Sequence, residues 1–298
     1  MSRITVLMST YNGEKYISDQ IDSILDQVID KDISLSLYIR DDGSSDNTVG
    51  IIRSYCEKYP EVITLVTGTN IGWRDSFASL LMLVRDNKSD FYAYSDQDDI
   101  WDKNKLQAGI NYLLKYEDIP ALYCCSARMV NDNLQHVGDF NVPDKSSLES
   151  EIIKSKTLGC TQIFNKKLYQ LISKLKPGKN IAHDWWTIAS CYYINGKVLL
   201  DTEEHMSYRQ SGSNVFGGSQ GLGQRTKTIL GDSSHKRSTL CNALIDTYQG
   251  KNIFVSCLAE YSQDLKCKLR LLFSSSLYSR TSIQEKLFLK LYILLNKA

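Results

Sequence analysis

Ile4-Thr5-Val6-Leu7-Met8-Ser9-Thr10-Tyr11-Asn12-Gly13 decides how the N-terminal half folds. A short apolar run, too brief for a helix and partly β-branched, gives way to a polar turn, so it reads as a buried strand emptying into a loop. Just beyond, Ile17, Ile21, Ile24, Leu25 and Val28 recur on one face of an amphipathic helix. The same alternation then repeats. Residues 35–39 read as a strand running into Asp41-Asp42-Gly43-Ser44-Ser45-Asp46, and Val49, Ile52, Tyr55, Cys56 and Tyr59 trace the next helix. Residues 62–66 give a third strand, Asn70-Ile71-Gly72 a turn, and Phe77, Leu80, Leu81 and Val84 a third helix. Residues 91–94 form a fourth strand that stops at Ser95-Asp96-Gln97-Asp98-Asp99. Strand–helix units in succession predict an α/β fold with a mainly parallel sheet flanked by helices. Right-handed crossovers put all the strand-ending loops on one sheet edge, where open α/β sheets bind ligands.

Past this core the pattern is mixed: a helix over 106–115, a strand over 121–126, an irregular stretch to 155, and a strand over 159–164. The last third is helical and basic. Residues 265–298 carry Lys266, Lys268, Arg270, Arg280, Lys286, Lys290 and Lys297 against the single acid Glu285. With 35 Lys and Arg against 34 Asp and Glu, the whole chain lacks the basic field of a nucleic-acid binder, which speaks against nucleic acid as a partner. Eight cysteines without a C-x-x-C pair read as reduced core thiols, and the apolar start is too short for a signal segment. A cytoplasmic protein is therefore expected.

Asp96, Asp98 and Asp99 follow an apolar strand directly, an expensive concentration of charge unless a cation compensates it. Hard carboxylate oxygens suit Mg²⁺ or Mn²⁺, which keeps other coordination positions for water and substrate phosphates. The competing explanation is a helix cap, with Asp98 or Asp99 capping the helix that contains Leu106.

Taken together, Met8-Ser-Thr-Tyr-Asn-Gly-Glu14, Arg40-Asp-Asp-Gly-Ser-Ser-Asp46, Asn70-Ile-Gly72, Ser95-Asp-Gln-Asp-Asp-Ile-Trp101, His183-Asp-Trp-Trp186 and Tyr208-Arg-Gln210 resemble the ordered motifs of a family 2 inverting glycosyltransferase with the GT-A fold. The resemblance extends especially to the rhamnosyltransferase-like branch, which builds bacterial O-antigen and capsule polysaccharide. The resemblance implies a GT-A domain over 1–220, divided into a Rossmann-like nucleotide-sugar-binding half (1–105) and an acceptor half (106–220), with a helical extension over 221–298. It implies that Thr10, Tyr11, Asn12 and Glu14 line the nucleotide site, that Asp41 or Asp42 accepts hydrogen bonds from the base, and that Arg74 and Arg209 reach the diphosphate. Asp96 and Asp98 resemble the D-x-D pair, with Asp98 the better ligand for Mn²⁺ or Mg²⁺ and Asp96 nearer the ribose or diphosphate. Asp184 would be the general base that takes the acceptor hydroxyl's proton. His183 and one of Trp185 and Trp186, with Trp185 preferred, would meet the acceptor. For Ser44, Ser45 and Asp46, turn formation and helix capping suffice.

The sequence departs from the resembled pattern at Ser211, where that family commonly has a His associated with metal and diphosphate; His205 could substitute. Gly212, Gly217 and Gly218 suggest a mobile segment that closes over the donor. The expected donor is dTDP-L-rhamnose, followed by UDP-glucose or UDP-galactose, and the expected acceptor a lipid-linked oligosaccharide. Two other functions fit parts of the pattern: a sugar-1-phosphate nucleotidylyltransferase, which should open with a Gly-rich basic loop, and a catalytically impaired sugar-nucleotide- or glycan-binding protein. The basic segment 265–298 either lies on an anionic membrane surface, at the inner face of the cell membrane, or packs Leu287, Leu291, Leu294 and Leu295 onto the domain.

Overall fold

A computed structural model gives the fold of residues 2–153, 155, 157–176, 178–210, 233–250, 252–260, 263–274 and 283–294. The N-terminal half follows the predicted alternation: β1 (Ser2–Thr10), α1 (Ile17–Leu25), β2 (Ile33–Asp41), α2 (Thr48–Lys58), β3 (Ile63–Thr67), α3 (Trp73–Leu83) and β4 (Phe91–Ser95). These strands pair in parallel in the order β3-β2-β1-β4. In β1, Ile4, Val6 and Met8 face one apolar cluster with Ile17, Ile21 and Ile24 of α1, while Leu7 faces a second cluster with Phe77, Leu80 and Leu81 of α3. Burial on both faces is why this strand reads as a continuous apolar run. The α1 stripe ends earlier than its periodicity suggested: Val28 lies outside the helix and is 64% exposed.

Beyond β4 the sheet changes character. The chain forms β5 (Ile100–Trp101), α4 (Lys105–Leu113), β6 (Ala121–Val130), β7 (His136–Phe140), α5 (Leu148–Ile153), β8 (Gln162–Asn165), α6 (Lys166–Ile172), α7 (His183–Tyr193) and β9 (Lys197–Arg209). β8 runs antiparallel to both β4 and β6, whereas β9 lies parallel to β6 and receives β5 at its far edge. Thus the parallel arrangement holds for the first four strands, and a mixed half completes the nine-stranded sheet. The stretch expected to be irregular contains β7 and α5. The strand expected over 159–164 begins with a 3₁₀ turn (Gly159–Thr161).

Among the described residues four helices follow, α8 (Ser233–Tyr248), α9 (Ile253–Glu260), α10 (Leu265–Leu272) and α11 (Ile283–Leu294). Leu240, Leu244, Val255, Leu258, Leu271 and Ile293 join the cluster containing Trp186 and Ile188 of α7. The expected domain boundary at 220, together with Ser211, Gly212, Gly217 and Gly218, lies outside the described residues. All eight cysteines are free thiols and seven are buried. No helix among the described residues is long and apolar enough to cross a membrane.

Candidate active site

The loops after β1, β2 and β4 meet at one sheet edge because Met8 stands opposite both Ile39 and Ser95 in the ladder. Their first business is with one another. Thr10 donates its hydroxyl to Asp41 Oδ2 at 3.1 Å; Ser44 Oγ reaches the same oxygen, and Gly43 and Ser44 donate backbone N–H to Oδ1. Those four bonds fill the acceptor capacity of the Asp41 carboxylate. Asp42 accepts Arg40 Nη1 at 2.5 Å and the N–H groups of Ile71 and Gly72. It thereby fixes the Asn70-Ile71-Gly72 turn that starts α3. Gly43 has φ 82°, and a Cβ there would come within 3.0 Å of Asn70 N, so the Asp-Asp-Gly order is needed for the two loops to touch.

Several residues expected in the nucleotide pocket are consumed by this framework. Asn12 Oδ1 accepts Ser45 N, Glu14 Oε2 accepts Asn47 N, and Asp46 caps the start of α2 through Thr48. With Thr10 and Asp41 1% exposed and Asp42 2% exposed, these three build the floor instead of presenting open hydrogen-bonding edges. Tyr11 is the exception, 47% exposed while Gln97 grips its backbone N–H and C=O.

The acidic loop lies beside this floor. Asp96 and Asp98 are half-buried and Asp99 is buried. Asp96 is pushed up to about 7, by burial first and then by the charges of Asp98 and Asp184. Burial, with Asp96 and Asp98, also drives Asp99 well above the ordinary carboxylate range. Asp99 Oδ1 accepts Arg209 N at 3.0 Å, whereas Oδ2 is buried without a nitrogen or oxygen partner; carboxylate oxygens of Asp99 and Asp96 and the Cys160 thiol lie within 4.8 Å of one another. Lys105, fully buried at the start of α4, donates to Cys160 O at 2.6 Å and is lowered to about 8 by burial. An under-satisfied carboxylate oxygen in a loop of three acids is a donor set that a hard divalent cation relieves, so the residues fit Mg²⁺ or Mn²⁺. No side chain of the loop caps α4, whose cap position is Asn104.

Asp184 occupies the first turn of α7, after Ala182 as the cap residue. Its Oδ1 accepts Trp185 N at 2.8 Å, and burial pushes it up to about 6 against the counteracting pull of Arg74. Gly159 allows the approach: a Cβ there would meet His183 Nε2 at 2.6 Å and Asp184 Cβ at 3.3 Å. The Arg74 guanidinium lies 4.3 Å from the Trp73 ring. Asp96, Asp184 and Arg74, far apart in sequence, are thus electrostatic neighbours.

Three expectations change. His183 is not an acceptor contact: it is 4% exposed, stacked 3.7 Å from Phe77 and edge-on to Tyr94, and held neutral by burial, which lowers it to about 3. Arg209 does not reach out to a diphosphate; it is 2% exposed and donates to Asp98 O, Asp132 O and Asp19, with Tyr16 beneath its guanidinium. His205 bonds to Asp201 and Asn104, so it does not replace the missing histidine. Trp186 is core, with Nε1 bonded to Ile172 O, whereas Trp185 is half-buried and donates to Glu151 O. Gln97, Lys105, Cys160 and Tyr208 carried no expected role, and Asp99 was expected only as part of the acidic cluster or as a helix cap. Tyr208, raised by burial and then by Cys160 and the three acids, stood inside a recognised motif without a role; the buried lysine has no local signature. Clefts of about 430 Å³ occur elsewhere, one lined by Phe254, Cys257 and Arg270, but neither includes these carboxylates.

Comparison with known proteins agrees with this geometry. The sequence model of glycosyl transferase family 2 matches residues 5–184. The dTDP-rhamnosyl transferase RfbG of Shigella flexneri is 30% identical over 221 residues, covering 70% of this chain and 73% of the relative. The Escherichia coli UDP-Glc:alpha-D-GlcNAc-diphosphoundecaprenol beta-1,3-glucosyltransferase WfgD is 28% identical over 160 residues, 54% of this chain and 58% of WfgD. Among solved structures, S. aureus TarS 1–349 with UDP-GlcNAc superposes with a TM-score of 0.62 at 17% identity, covering 96% of this chain and 78% of TarS. The Pyrobaculum calidifontis mannosyltransferase PcManGT, with GDP-Man and Mn²⁺, gives 0.54 at 16% identity, covering 99% and 88%. At such identities the likeness concerns the fold, which is GT-A.

Proposed function

The chain belongs to glycosyl transferase family 2 and is a nucleotide-sugar transferase, and on that premise we propose that it transfers a sugar, with inversion, to a hydroxyl of a lipid-linked oligosaccharide in bacterial surface-polysaccharide synthesis. The observation that carries the mechanism is that Asp184, in the first turn of α7, packs against Gly159, next to the Cys160 that clusters with Asp96 and Asp99 of the loop after β4, and helps to raise Asp96. A carboxyl raised to about 6 is mostly ionised at neutral pH yet is a stronger base than an ordinary aspartate. In a single displacement the acceptor oxygen bonds to the anomeric carbon, its proton passes to the Asp184 carboxylate, and the carbon–oxygen bond to the diphosphate breaks with the electron pair leaving on the nucleotide. No enzyme-bound sugar intermediate is needed.

Asp98 and Asp96 are the residues that would hold Mn²⁺ or Mg²⁺, which supplies charge neutralisation at the departing diphosphate. Tyr11, exposed on a backbone clamped by Gln97, offers a face for the nucleobase. In this reading Thr10, Asn12, Glu14, Asp41 and Asp42 keep that loop in shape, Arg74 meets the diphosphate, Trp185 lines the acceptor side, and buried His183 positions Asp184. The likeness to RfbG supports dTDP-L-rhamnose as donor before UDP-glucose or UDP-galactose, and the likeness to WfgD supports a diphosphate-lipid acceptor. A cytoplasmic location belongs to the same reading, supported by the buried free thiols.

Thermal shift with dTDP-, UDP- and GDP-sugars, each with and without Mn²⁺, tests the donor. A donor at a hundred times its Kd should add about 2.7 kcal/mol of stability. Stabilisation by dTDP-L-rhamnose, enhanced by Mn²⁺ and followed by transfer, is expected. Binding without transfer or donor hydrolysis would instead make the chain a sugar-nucleotide-binding protein.

A further inference from the structure

We infer that α10 and α11 form a platform that lies on an anionic lipid surface. The observation is a second apolar stripe on a helix that already has a buried one. Cys267 and Leu271 point inward, 8% and 1% exposed, whereas Leu265, Leu269 and Phe273 are 70%, 46% and 80% exposed. At about 100° per residue the outward stripe is centred roughly opposite the inward one. Lys268 falls on one flank of the outward stripe and Lys266 and Arg270 on the other. Neighbouring α11 repeats the arrangement: Ile293 is buried, Leu287, Leu291 and Leu294 are at least half exposed, and Lys286 and Lys290 run alongside.

Single exposed leucines are ordinary on a protein surface, but two adjacent helices each presenting three large apolar groups are not. Charge selects the occupant. Cations bordering the stripe match a layer in which apolar side chains enter the acyl boundary while lysine and arginine extend to anionic headgroups. Glu285 is the only acid in the segment 265–298. Helices of 8 and 12 residues, about 12 and 18 Å long, are too short to span a bilayer and suit a position flat on its surface. This inference concerns surface chemistry alone and stands apart from the sugar-transfer reading.

The test is co-sedimentation of the full chain with phosphatidylcholine vesicles, with and without phosphatidylglycerol, at low and moderate salt. The full chain should bind the anionic vesicles, and salt should weaken binding. A double variant, Leu269→Glu with Phe273→Glu, should bind at least about tenfold more weakly. Both positions are exposed, so its melting temperature and its stabilisation by a nucleotide sugar should match the parent chain. The inference is overturned if the full chain fails to sediment at low salt, or if the double variant sediments as well as the parent. It is equally overturned if light scattering shows a dimer that the double variant dissolves and neither protein binds vesicles, since a second copy then covers the stripe.

Discussion

Replacing Asp184 by Asn removes a buried charge and a base in one step, and the two effects should pull stability and activity in opposite directions. Burial raises the Asp184 carboxyl from 3.8 to about 6 in the folded chain. A folded-state value above the unfolded one means that the stabilising contribution is present below pH 3.8 and lost as pH climbs through about 6. The gap corresponds to about 3 kcal/mol, an upper figure because the side chain keeps some solvent contact. Asparagine keeps the shape, and its Oδ1 can still accept Trp185 N. The Asp184→Asn variant should therefore match the parent near the bottom of this range and exceed it by up to about 3 kcal/mol above it. Relief of Asp96, which Asp184 helps to raise, adds in the same direction. Turnover should fall about 10²-fold or more while donor affinity is retained. The assays are urea unfolding of both proteins at acidic and alkaline pH in chelator, and steady-state transfer with metal restored. A stability difference that is absent at alkaline pH, or that shrinks as pH rises, would refute the buried-charge reasoning; near-normal turnover would move the base elsewhere.

Asp98→Ala should lose metal-dependent transfer with little loss of folding, since Asp98 is half-buried at the loop rather than core; full transfer by the parent chain in excess chelator would remove the ion from the mechanism. Arg209→Ala should cost about 2–4 kcal/mol, because the buried guanidinium joins the Asp98 and Asp132 carbonyls to Asp19; a variant of native stability that has lost only turnover would return Arg209 to the diphosphate. Asp41→Asn should cost about 1–3 kcal/mol by disturbing a carboxylate that serves four donors; native unfolding behaviour together with lost nucleotide affinity would instead assign Asp41 to the base.

The first four strands and three helices were legible because each is specified by its own period: a continuous apolar run where both faces are buried, and a helical stripe where one is. That period, with the handedness of crossovers, also places the loops ending in Asp41-Asp42 and Asp96–Asp99 on a common edge. Motif order then carried the family. The mixed half was harder to read because its strands lack a clean alternation. β9 changes register against β6 between Cys125 and Arg128 and carries Glu203 and Glu204 in mid-strand; β5 is two residues long.

What tertiary structure alone decided is which polar groups remain free to act. Asp41 and Asp96 are both aspartates at strand ends, yet one is saturated by its own loop and the other is raised among like charges. Arg209 is a clamp because Asp98 and Asp99, 110 residues or more away along the chain, arrive beneath it. His183 is neutral because Phe77 and Tyr94 surround it. Periodicity is set by near neighbours along the chain, so sequence alone conveys it; desolvation and hydrogen-bond saturation depend on which distant segments meet, so whether a carboxylate is scaffold or reagent is settled only when the chain has folded.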